Sequence, residues 1–395
     1  MLEVDNFEKD LAKMMGLAAV RAQKIEAASP MLELRDPISA LSRRLHPEMI
    51  RLRLDSIREE TPTACTYRFK AAGEQGELPF FRAGQYLSVK FEIAGKRVTR
   101  PYSISSAPCD LPGALELTVS RKEGGFVSGY IRDSWREGAA VEATGPHGDF
   151  TFEPLRDCSR VVGIAGGSGV TPFRSMIREI IEGGLELKLL LLYGSRHEEE
   201  IIFAAELKEL AAKAPQKVQV VHVLSEPGPG WQGLKGFIDA SLIREYAGEL
   251  RDTSFFVCGP PAMDRFARAQ LEELGIRRRQ MRFEPAGAVN DLTGEPGYPS
   301  RAGGKVFSLT IHLHGREFTV PAAAGESLLV ALERAGLAPD SQCRSGECGF
   351  CRSRLAQGEV YIRPDSDGRR AADRRLNFIH PCAAYPLTDI ILVTP

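Results

Sequence analysis

Three of the eight cysteines in this chain fall within nine consecutive residues, CRSGECGFC at 343–351, and a fourth, Cys382, stands well downstream. Cys343, Cys348, Cys351 and Cys382 thus follow C-x4-C-x2-C and then a distant C, a spacing at which four thiolates hold a [2Fe-2S] cluster. Structural zinc favours two short C-x2-C knuckles, and only Cys348 and Cys351 form one. A Rieske centre replaces two cysteines by histidines, and no Cys-x-His occurs. Gly346 and Gly349 allow backbone angles closed to other residues, so loop N–H groups can turn toward the sulfurs and stabilise their charge. Four core cysteines would explain neither the spacing nor the glycines.

A one-electron centre needs a source of electrons, and the region upstream holds candidates. RPYSISS, from Arg100 to Ser106, offers a guanidinium fork suited to phosphate, a flat ring at Tyr102 and a hydroxyl at Ser103. GGFVSGYI places Gly125, Phe126, Val127 and Ser128 at a probable helix start, where free N–H groups can bind a pyrophosphate. SRVVGIAGGSGVTPFRSMI reads as an apolar strand, a glycine-rich turn and a helix, which lets a dinucleotide approach the backbone closely, although it is not G-x-G-x-x-G. Cys258 ends another apolar strand and is followed by Gly-Pro-Pro. Cys65, Cys109 and Cys158 lack such company and are read as structural. His147, His222 and His380 are scattered without metal-ligand spacing and read as loop or packing residues, and no Ser/His/Asp arrangement suggests hydrolysis.

These residues need scaffolds, and the pattern supplies three. Between Ile50 and Phe152 short alternating stretches such as IRLRLDSI, YLSVKF and LELTVS predict a small antiparallel barrel. LELKLLLLYGSR, KVQVVHVLS and SFFVCGPPAMDRFARAQLEELGI alternate strand and helix, as in a parallel α/β sheet. FSLTIHL, HG and REFTV form a hairpin pattern, and ESLLVALERAG a short helix ended by Gly336. AGAVNDLTGEPGYPSRAGG has no periodicity and reads as a linker that lets the C-terminal module move. NFEKDLAKMMGLAAVRAQKI predicts an amphipathic helix, either a strap over the barrel or a docking element.

Charge and composition set limits. With 51 basic and 52 acidic residues and a pI near 6.7, the chain has no global attraction to nucleic acid or anionic lipid. The opening residues lack the basic start of a signal peptide, and the most apolar run, LELKLLLLYG, is short and interrupted by Lys188. No membrane span and a cytoplasmic location are expected. In a reducing compartment clustered cysteines are more often ligands or catalysts than disulfides.

From about Val306 to Pro395 the sequence resembles plant-type ferredoxin. From Ile50 to Glu284 it resembles the ferredoxin–NADP reductase superfamily, through FRAGQY (with Gly84, Gln85 and Tyr86), RPYSISS, GPHGDF, AGGSGVTP and VCGPPAM. The resemblance implies an antiparallel flavin-binding β-barrel (49–155), an NAD(P)-binding α/β domain with a parallel sheet (156–285) and an α+β, β-grasp ferredoxin domain (305–395); with the helical N-terminal extension (1–48), which lies outside the resemblance, and the linker (286–304), the chain is expected to be multidomain. It places Arg100, Pro101, Tyr102 and Ser103, with Gly125 to Ser128, at the flavin. It places Gly167, Gly169, Thr171 and Pro172 at the nucleotide pyrophosphate, and Cys258, Gly259 and Pro260 beside the nicotinamide. Ser195 and Arg196 fall where the family reads the adenosine ribose, so Arg196 would favour NADPH over NADH. Tyr102, Ser103, Cys258 and Glu284 form the expected catalytic set. FAD is expected over FMN, which one relative of this domain order uses, because FMN has no pyrophosphate for GGFVSGYI to hold. The implied function is transfer of electrons from NAD(P)H through flavin and cluster to a separate terminal oxidoreductase, such as an oxygenase or demethylase. The alternative is a redox-sensing or regulatory subunit.

Overall fold

The computed structural model describes residues 7–28, 37–45, 47–73, 78–284, 287, 289, 292 and 294–394. Contacts divide the chain into two units, Met1–Leu45 and His46–Pro395. In the first, α1 (Phe7–Glu26) is the helix that the apolar spacing predicts, and α2 (Pro37–Leu45) follows it. Met14, Met15, Leu17 and Val20 of α1 are exposed.

The second unit begins with six strands: β1 (Ile50–Thr61), β2 (Ala64–Ala71), β3 (Tyr86–Ile93), β4 (Lys96–Ser103), β5 (Leu115–Ser120) and β6 (Ala140–His147). Their order is β4-β3-β6-β1-β2-β5, and every neighbouring pair is antiparallel. A bridge between Ile104 and Leu117 joins the two outer strands, so the sheet curls into the expected barrel. Alternation drives it: Leu52 and Leu54 are buried while Arg51 and Arg53 face out. Helix α3 (Phe126–Ser134) delivers Trp135, whose ring meets Tyr67 and Phe69 edge-on at 5.1 and 5.5 Å and stacks on Phe91 at 5.8 Å.

Strand and helix then alternate: β7 (Arg160–Gly166), α4 (Thr171–Ile181), β8 (Lys188–Ser195), α5 (Ala204–Lys213), β9 (Val218–Leu224), β10 (Leu234–Lys235), α6 (Ala240–Ala247), β11 (Ser254–Cys258), α7 (Pro261–Glu273) and β12 (Met281–Phe283). The sheet is wholly parallel in the order β10-β9-β8-β7-β11-β12. Because β8 leaves β7 on one side and β11 returns on the other, the order reverses between β7 and β11. Their C-terminal ends, which carry AGGSGVTP and CGPPAM, therefore flank a crevice.

The last part comprises β13 (Val306–Leu313), β14 (Arg316–Ala323), α8 (Leu328–Arg334), β15 (Ser353–Gln357), β16 (Val360–Ile362), α9 (Ala371–Arg375), β17 (Phe378–Ile379), β18 (Ala384–Pro386) and β19 (Ile390–Val393). The mixed sheet β14-β13-β19-β15-β17 pairs β13 with β19 in parallel, and β16 pairs with β18 apart from it. Leu328 and Leu332 of α8 pack with Leu309, Ile311 and Leu392 of the sheet. Ser327 caps that helix by accepting a bond from the Val330 N–H at 3.4 Å.

Two expectations need correcting. The described part of the 286–304 segment is anchored: Leu292 is buried with Tyr361 and Tyr385, and Tyr298 meets Tyr361 at 5.2 Å. Glu295, itself buried, bonds the partly exposed Arg265 of α7 at 2.7 Å and buried Arg363 of the C-terminal part at 3.1 Å, a double pair that composition could not reveal. Cys109, expected to be structural, is exposed on a short turn. Its neighbours Asp110 and Glu182 both bond Arg178 at 2.7 Å, so their charge is already compensated. Among the described residues no helix is long and apolar enough to cross a membrane.

Candidate functional site

The crevice at the strand-order reversal opens against the barrel as a cleft of about 410 Å³, where Pro101, Tyr102 and Ser103 of β4 face the Gly167 to Gly169 turn, Cys258 and Glu284. Gly169 permits this approach: a Cβ there would run into the Cys258 carbonyl. The Thr171 hydroxyl donates to the Ser168 carbonyl at 2.9 Å and tightens the turn before α4. Glu284 is held by its own N–H on the Val257 carbonyl, 2.9 Å away, at the end of β12. Burial pushes its carboxyl up to about 8, with Glu347 and Asp264 adding repulsion, and burial also raises the Cys258 thiol. The site therefore pairs a neutral thiol with a carboxyl that can hold a proton near neutral pH.

Tyr86, Pro101 and Glu284 also belong to the wall of an adjoining cavity of about 530 Å³, whose other wall includes Cys343, Glu347 and Cys348. The two cavities thus adjoin across Tyr86, Pro101 and Glu284, one against the nucleotide-side motifs and the other against the cysteine loop. Ser88 of β3 supports it by donating to the Gln342 carbonyl at 3.1 Å.

The four cysteines come together. Cys343, Cys351 and Cys382 are buried and Cys348 is exposed. The Cys343 sulfur accepts N–H bonds from Ser345 and Cys348, both at 3.4 Å, and the Cys348 sulfur accepts one from Phe350 at 3.4 Å. The Cys343 thiol is held far below the ordinary thiol range, first by Cys348 and Cys382 and then by the Ser345 side chain and the Cys348 amide. Gly346, with φ +86°, is required here because a Cβ would meet the Ser366 carbonyl. His380, taken from sequence as a loop or packing residue, is buried and contacts the Gly346 carbonyl through Nδ1 at 2.5 Å. Four sulfur donors, mostly sheltered from water and met by directed amides, fit a [2Fe-2S] cluster.

Other expected residues lie elsewhere. Gly125 caps α3, and the Ser128 hydroxyl accepts from the Lys122 N–H at 3.1 Å; Gly125, Phe126, Val127 and Ser128 do not line the cleft. Pro172 is buried in the first turn of α4. Ser195 and Arg196 sit at the end of β8, where exposed Arg196 pairs with Glu200 at 3.1 Å. Arg100 turns toward the C-terminal part: it donates to the Thr99 carbonyl at 2.8 Å and lies 3.5 Å from Glu333 of α8. Glu333 in turn grips Arg344, beside Cys343, through both carboxylate oxygens. Neither Glu333 nor Glu347 carried a signal in the sequence, since a lone glutamate has no spacing to read.

Three family models match in order: Oxidoreductase FAD-binding domain over residues 51–152, Oxidoreductase NAD-binding domain over 164–269, and 2Fe-2S iron-sulfur cluster binding domain over 311–387. Ferredoxin--NADP reductase B of Sorangium cellulosum (strain So ce56) is 35% identical over 246 residues, 61% of this chain and 98% of that protein. The chain belongs to the ferredoxin–NADP reductase family. It carries in addition the C-terminal [2Fe-2S] domain. The glycine betaine monooxygenase reductase subunit of Pseudomonas aeruginosa (strain UCBPP-PA14) is 26% identical over 350 residues, covering 85% of this chain and 92% of the relative. Phthalate dioxygenase reductase shares the fold, with a TM-score of 0.63 at 24% identity over 88% of this chain and 98% of that one. The three family models together account for the barrel, the parallel sheet and the cysteine loop in one order.

Proposed function

We infer that this reductase draws electrons from NAD(P)H and delivers them singly to a separate terminal oxidoreductase of the oxygenase or demethylase type. FAD, when bound, accepts a hydride and releases its electrons one at a time, and a [2Fe-2S] cluster carries one electron. The observation that carries the reading is the pair of adjoining cavities, which share Tyr86, Pro101 and Glu284 and are lined by Cys258 on one side and by Cys343 and Cys348 on the other.

In this reading Tyr102 and Ser103 orient the flavin ring, the Gly167 to Thr171 turn receives the nucleotide pyrophosphate, and Cys258 to Pro260 shape the nicotinamide pocket. Glu284 holds a proton beside the ring. Arg100 divides its guanidinium between flavin phosphate and Glu333. Arg196 selects NADPH, in which case the 2′-phosphate displaces Glu200 from the guanidinium. The relative that is a monooxygenase reductase subunit supports a separate oxygenase as the acceptor. A cytoplasmic location follows from the need for NAD(P)H.

Anaerobic stopped flow with excess NADPH or NADH tests the function. Flavin bleaching is expected first and cluster bleaching second, and Cys348→Ser is expected to lose the second phase and cytochrome c reduction while keeping the first. A wild-type protein whose flavin is reduced while its assembled cluster stays oxidised would refute the reading.

A further inference from the structure

The cysteine loop has two sides. Cys343, Ser345, Glu347 and Cys348 line the cavity toward the barrel. Phe350 takes no part in that wall and is half exposed. Directly after Cys351 the chain returns with Arg352, whose guanidinium lies 4.6 Å above the Phe378 ring and bonds Asp373 of α9 at 3.2 Å. The loop is thereby tied to α9, whose neighbour Leu376 is also exposed, at 55%.

Charge around this outer side is unbalanced. Between Arg352 and Arg375 seven arginines stand against four carboxylates, in a chain whose totals are 51 and 52. Three of the four carboxylates are committed: Asp373 to Arg352, Asp367 to both Arg369 and Arg374, and Asp365 to buried Arg363; Glu359, on the turn between β15 and β16, is exposed. Arg354, Arg370 and Arg375 are exposed and have no carboxylate within ion-pair distance among the described residues. Such a patch on a nearly neutral protein sets the local field, steers a partner and fixes its orientation. Phe350 and Leu376 supply the apolar centre that a docking surface needs.

We propose that the face formed by Phe350, Arg352, Leu376 and the arginines at the two ends of α9, Arg370 and Arg375, docks the terminal acceptor, and that it recognises a protein whose electron-entry site is ringed by aspartate and glutamate. This deepens the proposed function and rests on it. The cluster site then lies between the cavity and the partner, so one pose of the ferredoxin domain serves both transfers. That agrees with the anchoring of the connector through Glu295.

The test uses the loaded full-length protein, NAD(P)H and three acceptors: ferricyanide, lysine-rich cytochrome c and acidic cytochrome b5. Raising salt is expected to lower kcat/KM for cytochrome b5 and not for cytochrome c. Arg370→Glu/Arg375→Glu is expected to lower kcat/KM for cytochrome b5 by roughly tenfold at low salt and to raise it for cytochrome c. The ferricyanide rate and the low-field signal of the reduced cluster stay as in the wild type. Arg370→Lys/Arg375→Lys keeps the wild-type rates, which separates charge from folding. Unchanged cytochrome b5 kinetics in the Glu variant, or equal losses with both cytochromes, would overturn the docking face. Failure of the underlying reading looks different, because cluster reduction by nucleotide would then be missing in the wild type itself.

Discussion

Among the arginine–carboxylate clamps that tie the flavin barrel to its neighbours, two are built to different standards. At the nucleotide side, Arg174 of α4 is fully engaged: Nη1 donates to Glu116 of the barrel at 2.7 Å and to the Ser105 carbonyl at 2.8 Å, while Nε meets both Glu206 oxygens at 2.9 Å. At the ferredoxin side, Glu333 holds Arg344 of its own domain with both oxygens and reaches the barrel only through Arg100 at 3.5 Å. The difference matches the chemistry across each seam. Hydride transfer requires atoms placed within a few tenths of an ångström, whereas electron transfer tolerates a less rigid contact.

The largest expected effect comes from breaking the tighter clamp. Arg174→Ala leaves buried Glu116 with only the half-exposed Arg68, 3.7 Å away, as a charge partner and should cost about 3 kcal/mol, read as a lower denaturant midpoint together with slower flavin reduction by nucleotide. If only cluster reduction slowed, the seam would not serve the hydride step. Glu333→Gln removes the charge between Arg100 and Arg344 at nearly constant shape and should cost about 1–3 kcal/mol. Stopped flow should show slower cluster reduction with an unaltered flavin phase, and the shape of the reduced-cluster signal reports whether the loop itself has moved. Equal slowing of both phases would erase the contrast between the seams.

Smaller effects sharpen it. Arg196 lies outside both clamps on an exposed strand end. Arg196→Ala should raise KM for NADPH about tenfold, or roughly 1.4 kcal/mol, and leave KM for NADH unchanged. A wild-type preference for NADH removes that assignment. The smallest effect is expected at the third seam, where Asp264 of α7 shares a cavity with Arg363 and Asp365 of the ferredoxin domain. Burial raises the Asp264 carboxyl to about 7, against partial compensation by Arg268. The folded state therefore binds this proton more tightly than the unfolded chain, and stability drains away as pH rises from the ordinary carboxylate range through 7. Asp264→Asn should gain about 1 kcal/mol above that window and nothing below it, measured as melting temperature against pH.

Much of the site was legible because it is local. CRSGECGFC encodes a loop whose glycines and amides serve its own sulfurs, and AGGSGVTP encodes a strand, a turn and a helix start in eight residues. The cleft likewise gathers Tyr102, Ser103, Gly169, Cys258 and Glu284. Arg100 was legible as a phosphate-type donor, but not as a partner of Glu333. The connector read as slack from its glycines and prolines, because composition does not show that Glu295 would meet Arg265 and Arg363.

The sequence by itself determined the order of the three scaffolds, the cysteine set and the glycine turns, since periodicity and short spacings act within single elements. Only the tertiary structure decided which side of the cysteine loop faces the barrel, that Phe350 looks outward, and that the barrel is clamped firmly on one side and lightly on the other. Those features depend on charges and surfaces brought together from distant parts of the chain. Their energies arise from burial and mutual approach, which no local pattern records.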